Sequence, residues 1–312
     1  MTTMSAVNLF RDDEGRVAQL HGIGILRSGD TWYAYGESKL NKALFCGVSC
    51  YSTRDFAHWH HEGTALRVGD EGSIVGPERI IERPKVMRCP ATGRYIMYVH
   101  VDGEGDYSYA HIGTAVSDSP SGPFEFLTAM QFRGYESRDI GVFQDEDGTG
   151  YILSEDRRHG THVFRLSDDY LSIVEDVVCL RGENYRFGYE SPIMCKRDGI
   201  YYWLGSQLTG WDCNDNMYAS AARLRGPWSP WRPFAPAGSA TFESQCDLVV
   251  PLDEDPHHSE HFLYIGDRWH PQDLGGSELL MLPMRIGDGK VDLQWRDRWS
   301  LPRPSDGAQW GA

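Results

Sequence analysis

The chain has 312 residues, 40% of them hydrophobic, which is enough to build a sizeable core and excludes a wholly disordered polypeptide. With 30 Lys and Arg against 45 Asp and Glu the formal charge is -15, which opposes docking onto phosphate backbones or anionic lipid and leaves neutral or cationic ligands as the easier partners. No long apolar run exists and the opening MTTMSAVNLFRDDEG lacks a basic segment followed by an apolar one, so no nucleic-acid or membrane partner is expected, and the chain as written is expected to be cytoplasmic, or secreted if a leader was removed.

In chain order, five segments read alike: WYAYGES from Trp32, YIMYVHV from Tyr95, YILSEDR from Tyr151, YYWLGSQ from Tyr201 and FLYIGDR from Phe262. Each opens on aromatic residues, continues apolar and ends on a small or charged residue. Their starts lie 63, 56, 50 and 61 residues apart, so five units fill the chain and leave no room for a second domain. A strand precedes each segment across a turn rich in Gly, Asp and Thr, as in GILRSGDTWY, VFQDEDGTGY and MCKRDGIYY, where the turn residues supply the positive φ of tight hairpins. Further β segments follow, such as CGVSCYSTRDFAHW and MYASAARLRGPWSPW. Four strands per unit, repeated five times, predict an all-β five-bladed β-propeller; β-helices repeat at shorter periods and sandwiches lack a period this long. The 34 Gly, 16 Pro, 10 Trp, 16 Tyr and 12 Phe suit such a turn-rich β protein.

In a propeller the first strand of each blade lines the central channel, so residues at the heads of these strands meet at one mouth. Aligned on the aromatic landmarks, the heads are His21-Gly22, Glu82-Arg83, Asp139, Glu190 and Gln245. All are polar and three are acidic. Carboxyl groups crowded around a partly desolvated pocket raise one another's proton affinity, which yields an acid that keeps its proton near neutral pH. Glycoside hydrolysis needs such an acid for the leaving oxygen, together with a group on the opposite face that orients water.

The stretches ERPKV from Glu82, SRDIGVFQDEDGTGY from Ser137, YESPIM from Tyr189, LTGW from Leu208, ESQCDLV from Glu243 and IGDRW from Ile265 together resemble glycoside hydrolase family 43, and within it subfamily 24, the exo-β-1,3-galactanases. The resemblance implies an inverting exo-glycosidase that releases galactose from the nonreducing end of β-1,3-linked galactan or galacto-oligosaccharides. It makes Glu190 the general acid and Asp139 the carboxylate that raises and orients that acid. Most of the larger family carries an aspartate base at the first head, where this chain has His21-Gly22; the subfamily places a glutamine in that role, matched here by Gln245. An amide is a poor base, so Gln245 is read as the water-positioning residue, facing Glu190 across roughly 6.5 to 9.5 Å. Substrate-binding positions carried over are Glu37, Glu82, Thr209 and Trp211, with Trp211 as the platform under galactose and Tyr107 or Tyr109 as a further contact. Residues 1–312 are then expected to form one catalytic propeller without an appended carbohydrate-binding module, preferring short soluble chains. Other activities of the family (arabinofuranosidase, xylosidase, galactofuranosidase) and a propeller that only binds sugar are the alternatives.

The remaining chemistry-bearing residues have plainer readings. Cys46, Cys50, Cys89, Cys179, Cys195, Cys213 and Cys246 form no CxxC pair and are expected to be reduced thiols. The 12 histidines show no HExxH, and no metal site or cofactor is expected. Trp32, Trp203, Trp228 and Trp231 recur in repeated positions and are expected between blades. Arg83 and Arg138 are expected to hold carboxylates in ion pairs, with Lys85 in the same role. Glu243 is expected to point away from Gln245 by strand alternation, His270 could face the channel, and the runs Asp145-Glu146-Asp147 and Asp253-Glu254-Asp255 read as solvated hairpin tips.

Overall fold

The computed structural model describes residues 3–182 and 188–302. Five antiparallel sheets stand around one axis. Blade one runs through His21–Ser28, Thr31–Glu37, Val48–Thr53 and His60–Leu66, and blade two through Arg79–Arg88, Tyr95–Glu104, His111–Ser117 and Glu125–Met130. Blade three comprises Ile140–Gln144, Gly150–Asp156, Gly160–Leu166 and Ile173–Leu180; blade four, Glu190–Arg197, Ile200–Ser206, Met217–Ala221 and the two-residue Arg232–Pro233. Blade five holds Gln245–Pro251, Phe262–Arg268 and Glu278–Gly287, and its outer edge is covered by the N-terminal Val7–Asn8 and by Lys290–Leu293. Pairing of Val7 with Leu280 and Asn8 with Leu279 closes the ring with the two ends of the chain. The sequence repeat did not announce this closure, because a two-residue strand carries no periodic signal. Among the described residues no helix is long and apolar enough to cross a membrane.

The five landmark segments are the second strands, and their unbroken apolar runs follow from burial on both faces. Ile152 packs with Tyr98 and Phe164 between blades two and three, while its neighbour Leu153 packs with Val163 and Trp203 between blades three and four. Trp203 is fully buried in one core with Leu153 and Val163 of blade three, Trp228 and Trp231 lie partly buried against it, and Trp32 shares a core with Val250 and Phe262 of blade five, so Trp32 and Trp203 are inter-blade core as expected while Trp228 and Trp231 cover its edge. Truncating Trp203 to Ala would cost about 3–5 kcal/mol.

The first strands pack side by side around the axis, that of blade five returning against that of blade one. Their heads are shaped by bulges: the register slips after His21, Glu82 and Glu190. The next residue is left-handed in each case, with φ of 57° at Gly22, 54° at Arg83 and 49° at Ser191. A bulge of this kind bends the strand and re-aims the head side chain. Gly22 is required at its position, since a Cβ there would meet Glu37 Oε1 at 2.4 Å. Arg83 and Ser191 carry the same conformation without glycine, a local strain held by the surrounding network.

Candidate active site

A pocket of about 320 Å³ opens at the mouth where the heads meet. Its walls bring together Glu37, Glu82, Tyr107, Asp139, Glu190, Trp211 and Gln245, and with them Lys39, Arg83, Arg138, Arg157 and Trp269. A larger cavity of about 860 Å³ lies at the other end of the channel, lined by Ile25, Val142, Met194 and Leu248, and none of the five heads reaches it. Carboxylates, an amide and exposed aromatic rings around a small concavity are what a sugar's hydroxyls and C–H face require.

Glu190 opens the first strand of blade four and is buried. Burial, then the charge of Asp139 on the neighbouring blade, pushes its carboxyl up to about 8, against the weaker pull of Arg83 and of Arg157, whose Nη2 lies 3.4 Å from Glu190 Oε2. Asp139 is held by two donors, the Ser191 N–H at 2.9 Å and Arg83 Nη2 at 3.0 Å. Behind it Glu155, fully buried, is raised to about 7 chiefly by desolvation. Thus burial raises two carboxyl groups, Glu190 and Glu155, on the blade three and four side of the pocket.

Gln245 accepts at Oε1 from Arg83 Nη2 at 2.6 Å and from Trp269 Nε1 at 2.9 Å. Both partners can only donate, which fixes the oxygen on that side and turns the amide nitrogen toward Glu190. Gln245 Nε2 donates to Glu190 Oε1 at 2.9 Å. The expected gap between these two residues is therefore closed: a neutral amide has no charge to repel the acid, and the Arg83 and Trp269 anchors swing its N–H onto it.

Across the pocket, Lys39 Nζ bridges Glu37 Oε2 at 2.7 Å and Glu82 Oε1 at 2.8 Å. Burial alone would raise Glu82, but Lys39 and His100 outweigh it and hold this carboxyl well below its ordinary range. Burial lifts Glu37 in spite of Lys39. His100, pushed up to about 9 by Asp102 and Glu82 in spite of burial, joins the network from behind, and Tyr107 donates its hydroxyl to Glu82 Oε1 at 3.3 Å. Trp211 stands edge-on to Trp269 with ring centroids 5.2 Å apart, and is 44% exposed, leaving ring surface for a ligand.

Other candidates take different places. Thr209 does not line the pocket: its hydroxyl donates to the Asp212 carbonyl and accepts from Asn214 Nδ2 at 2.8 Å, so it is spent on shaping the loop that carries Trp211. Tyr109 instead stacks on His111, centroids 3.5 Å apart. His270 turns outward to Glu278. Glu243 sits in no strand; Ala240–Glu243 is a left-handed turn with φ from 49° to 61°, and its carboxylate pairs with Arg268, which removes it from the site, whereas strand alternation would have placed positions 243 and 245 on one face. Arg83 holds Asp139 and the buried Asp247, whereas Arg138 holds Asp102 at 3.1 Å and Glu136 at 3.3 Å rather than the head beside it. Lys85 donates to the Gly22 and Ile23 carbonyls, both at 2.7 Å, tying blade two to blade one. The acidic tips are structured: Asp145 pairs with Lys196 at 2.7 Å, and Asp253 accepts the Glu260 N–H at 2.7 Å. Among the described residues two groups have metal-ligand composition, Asp156/His159/His162 and Asp145/Glu146/His257, and neither lines the pocket.

Sequence reasoning missed Lys39, Arg157, Glu155 and Trp269. Trp269 ends the quoted IGDRW stretch and Lys39 lies two residues beyond Glu37, so the strand ends carried a signal; Arg157 sits on a hairpin tip, where charged residues are usual.

Comparison with known proteins agrees with this geometry. The family model for glycosyl hydrolases family 43 matches residues 19–244. A candidate exo-β-1,3-galactanase from Bifidobacterium bifidum is 59% identical in its crystal structure, with a TM-score of 0.92 over 94% of this chain and 97% of that one. An exo-β-1,3-galactanase from Phanerochaete chrysosporium, solved with β-1,3-galactotriose, is 31% identical with a TM-score of 0.91 over 100% of this chain and 70% of that one. A β-D-galactofuranosidase of Aspergillus niger is 30% identical over 142 residues, 43% of this chain and 39% of the relative. The chain spans 39% to 51% of the length of the curated relatives it matches. With a five-bladed propeller, a buried glutamate at the channel mouth and a family match across most of its length, the chain belongs to glycoside hydrolase family 43.

Proposed function

We propose that the protein is an inverting exo-glycosidase that removes galactose from the nonreducing end of β-1,3-linked galactan or galacto-oligosaccharides. The observation that carries this reading is the pairing of Glu190, whose carboxyl is pushed up to about 8, with a neutral amide, Gln245, in a pocket of about 320 Å³. The substrate itself is taken from the structural relatives that act on or bind β-1,3-galactans.

Galactose enters by opening the contact between Glu190 and Gln245. Trp211 receives the C–H face of the ring, while Glu82, held ionised by Lys39, accepts hydrogen bonds from its hydroxyls. Glu190 gives its proton to the glycosidic oxygen as the bond to C1 breaks, and water held by Gln245 attacks C1 from the opposite face. The surplus proton of that water returns to solvent. Asp139 raises the acid beforehand and steadies it through Ser191 and Arg83. Because both lone pairs of Gln245 Oε1 are engaged by donors, Gln245 acts by positioning water.

Hydrolysis of β-1,3-galactobiose followed by NMR tests the reading. Galactose should appear first as the α-anomer, with nitrophenyl arabinofuranoside, xyloside and galactofuranoside turned over far more slowly. Release of the β-anomer first, faster cleavage of any of those three glycosides, or galactobiose binding without hydrolysis would overturn it.

A further inference from the structure

Blade three carries a second cluster of chemistry-bearing side chains beside the pocket. Asp156 ends its second strand, His159 lies in the hairpin that follows, and His162 and Cys179 face each other as a cross-strand pair on the third and fourth strands. Asp156 Oδ2 lies 2.7 Å from His159 Nδ1 and 3.7 Å from His162 Nε2, and Cys179 Sγ lies 3.8 Å from the same His162 nitrogen. The ligand atoms of Asp156, His159 and His162 lie within 4.8 Å of one another, while Cys179 Sγ stands outside that group, so its side chain must move inward to reach the spacing of roughly 3.3 to 3.6 Å that zinc bonds of about 2.0–2.3 Å require. The outer contacts also suit a metal. His162, almost fully buried, gives its other ring nitrogen to Asp176 Oδ2 at 3.0 Å, the carboxylate support typical of a ligating imidazole. Asp156 Oδ1 is occupied by the Arg158 N–H at 2.8 Å, which leaves Oδ2 for a ligand, and the Tyr135 ring stacks on His162 at 4.2 Å.

We propose that Asp156, His159, His162 and Cys179 form a binding site for a divalent d-block cation of the zinc type. The cation bonds to Asp156 Oδ2, His159 Nδ1, His162 Nε2 and the Cys179 thiolate, and the protons these atoms carry pass to solvent on binding. Arg157, next to Asp156, is the hairpin residue that touches Glu190, so the cation tethers the segment that reaches into the pocket.

Titration of chelator-treated full-length protein with Zn²⁺ against a chromogenic competitor tests the site, with Co²⁺ as the spectroscopic probe. One equivalent of Zn²⁺ should bind and raise the melting temperature by roughly 3 to 8 °C in excess metal. Co²⁺ should give tetrahedral visible bands and a sulfur-to-cobalt charge-transfer band. His159→Ala, at a half-exposed residue whose loss leaves the fold intact, should weaken binding at least 10-fold; Cys179→Ser should abolish the charge-transfer band. His257→Ala, in the other cluster, should change nothing. Absence of stoichiometric binding, binding indifferent to His159→Ala, or binding lost in His257→Ala would overturn the site, and a charge-transfer band surviving in Cys179→Ser would remove the thiolate from it.

Discussion

Glu82 and Glu190 stand on opposite sides of the pocket at similar burial, with their proton affinities shifted in opposite directions. On the side of blades one and two, Lys39 sits within 2.8 Å of both Glu37 and Glu82, and Glu82 stays ionised. On the side of blades three and four, Glu190 has Asp139 as its neighbour and only Arg157 at 3.4 Å as a cation of its own, because Arg83 is committed to Asp139, Asp247 and Gln245. Desolvation acts on both sides; Glu82 is lowered because Lys39 and His100 together outweigh it, Glu37 is raised by burial although Lys39 touches it, and Glu190 is raised with Arg157 at 3.4 Å as its cation contact. One fold repeat thereby builds two kinds of carboxyl group a few residues from the same bulge.

Glu190→Gln removes the donor and should lower kcat/KM on β-1,3-galactobiose by about 100- to 10,000-fold, the usual worth of general-acid catalysis; a loss below tenfold would break the contrast at its centre. Lys39→Met strips the cation from the opposite side and leaves buried carboxylates uncompensated, so urea unfolding should show about 3–5 kcal/mol less stability, and an unchanged midpoint would mean that Glu37 and Glu82 do not depend on it. Trp211→Ala should raise KM about 2- to 10-fold with kcat little changed, as expected for an aromatic contact worth about 0.5–1.5 kcal/mol. Asp139→Asn sharpens the comparison. Glu190 is protonated below about 8 and loses its proton as pH rises through that value, so wild-type kcat/KM falls on the alkaline side; without Asp139 this limb should move to lower pH, and an unmoved limb would assign the elevation to burial alone. Stability depends on the same titration: the folded pKa of Glu190 lies above the unfolded one, so its contribution is fully present below the ordinary carboxylate range and is lost progressively as pH rises to about 8.

The five blades were legible because each rests on short-range hairpins whose turn residues and aromatic starts recur along the chain. Heads were legible for the same reason: Glu190 stands 11 residues before its aromatic landmark Tyr201, and only Gln245 departs from the common offset, because an insertion lengthens its hairpin. Ring closure by Val7–Asn8 was not, since pairing across the whole chain length leaves no local pattern. Nor were Lys39, Arg157 and Glu155, whose importance arises from neighbours on other blades. Thr209 shows the converse limit: its loop reaches the site while its hydroxyl is consumed within the loop. The direct Glu190–Gln245 bond depends on which amide atom Arg83 and Trp269 claim, a choice that only the assembled network makes.

The most direct measurement is a ¹³C NMR titration of the side-chain carboxyls, with the Glu190 signal assigned by its loss in Glu190→Gln. Titration at about 8 is expected; titration near the ordinary glutamate value of about 4.3 would contradict Glu190 as the stored proton of the site.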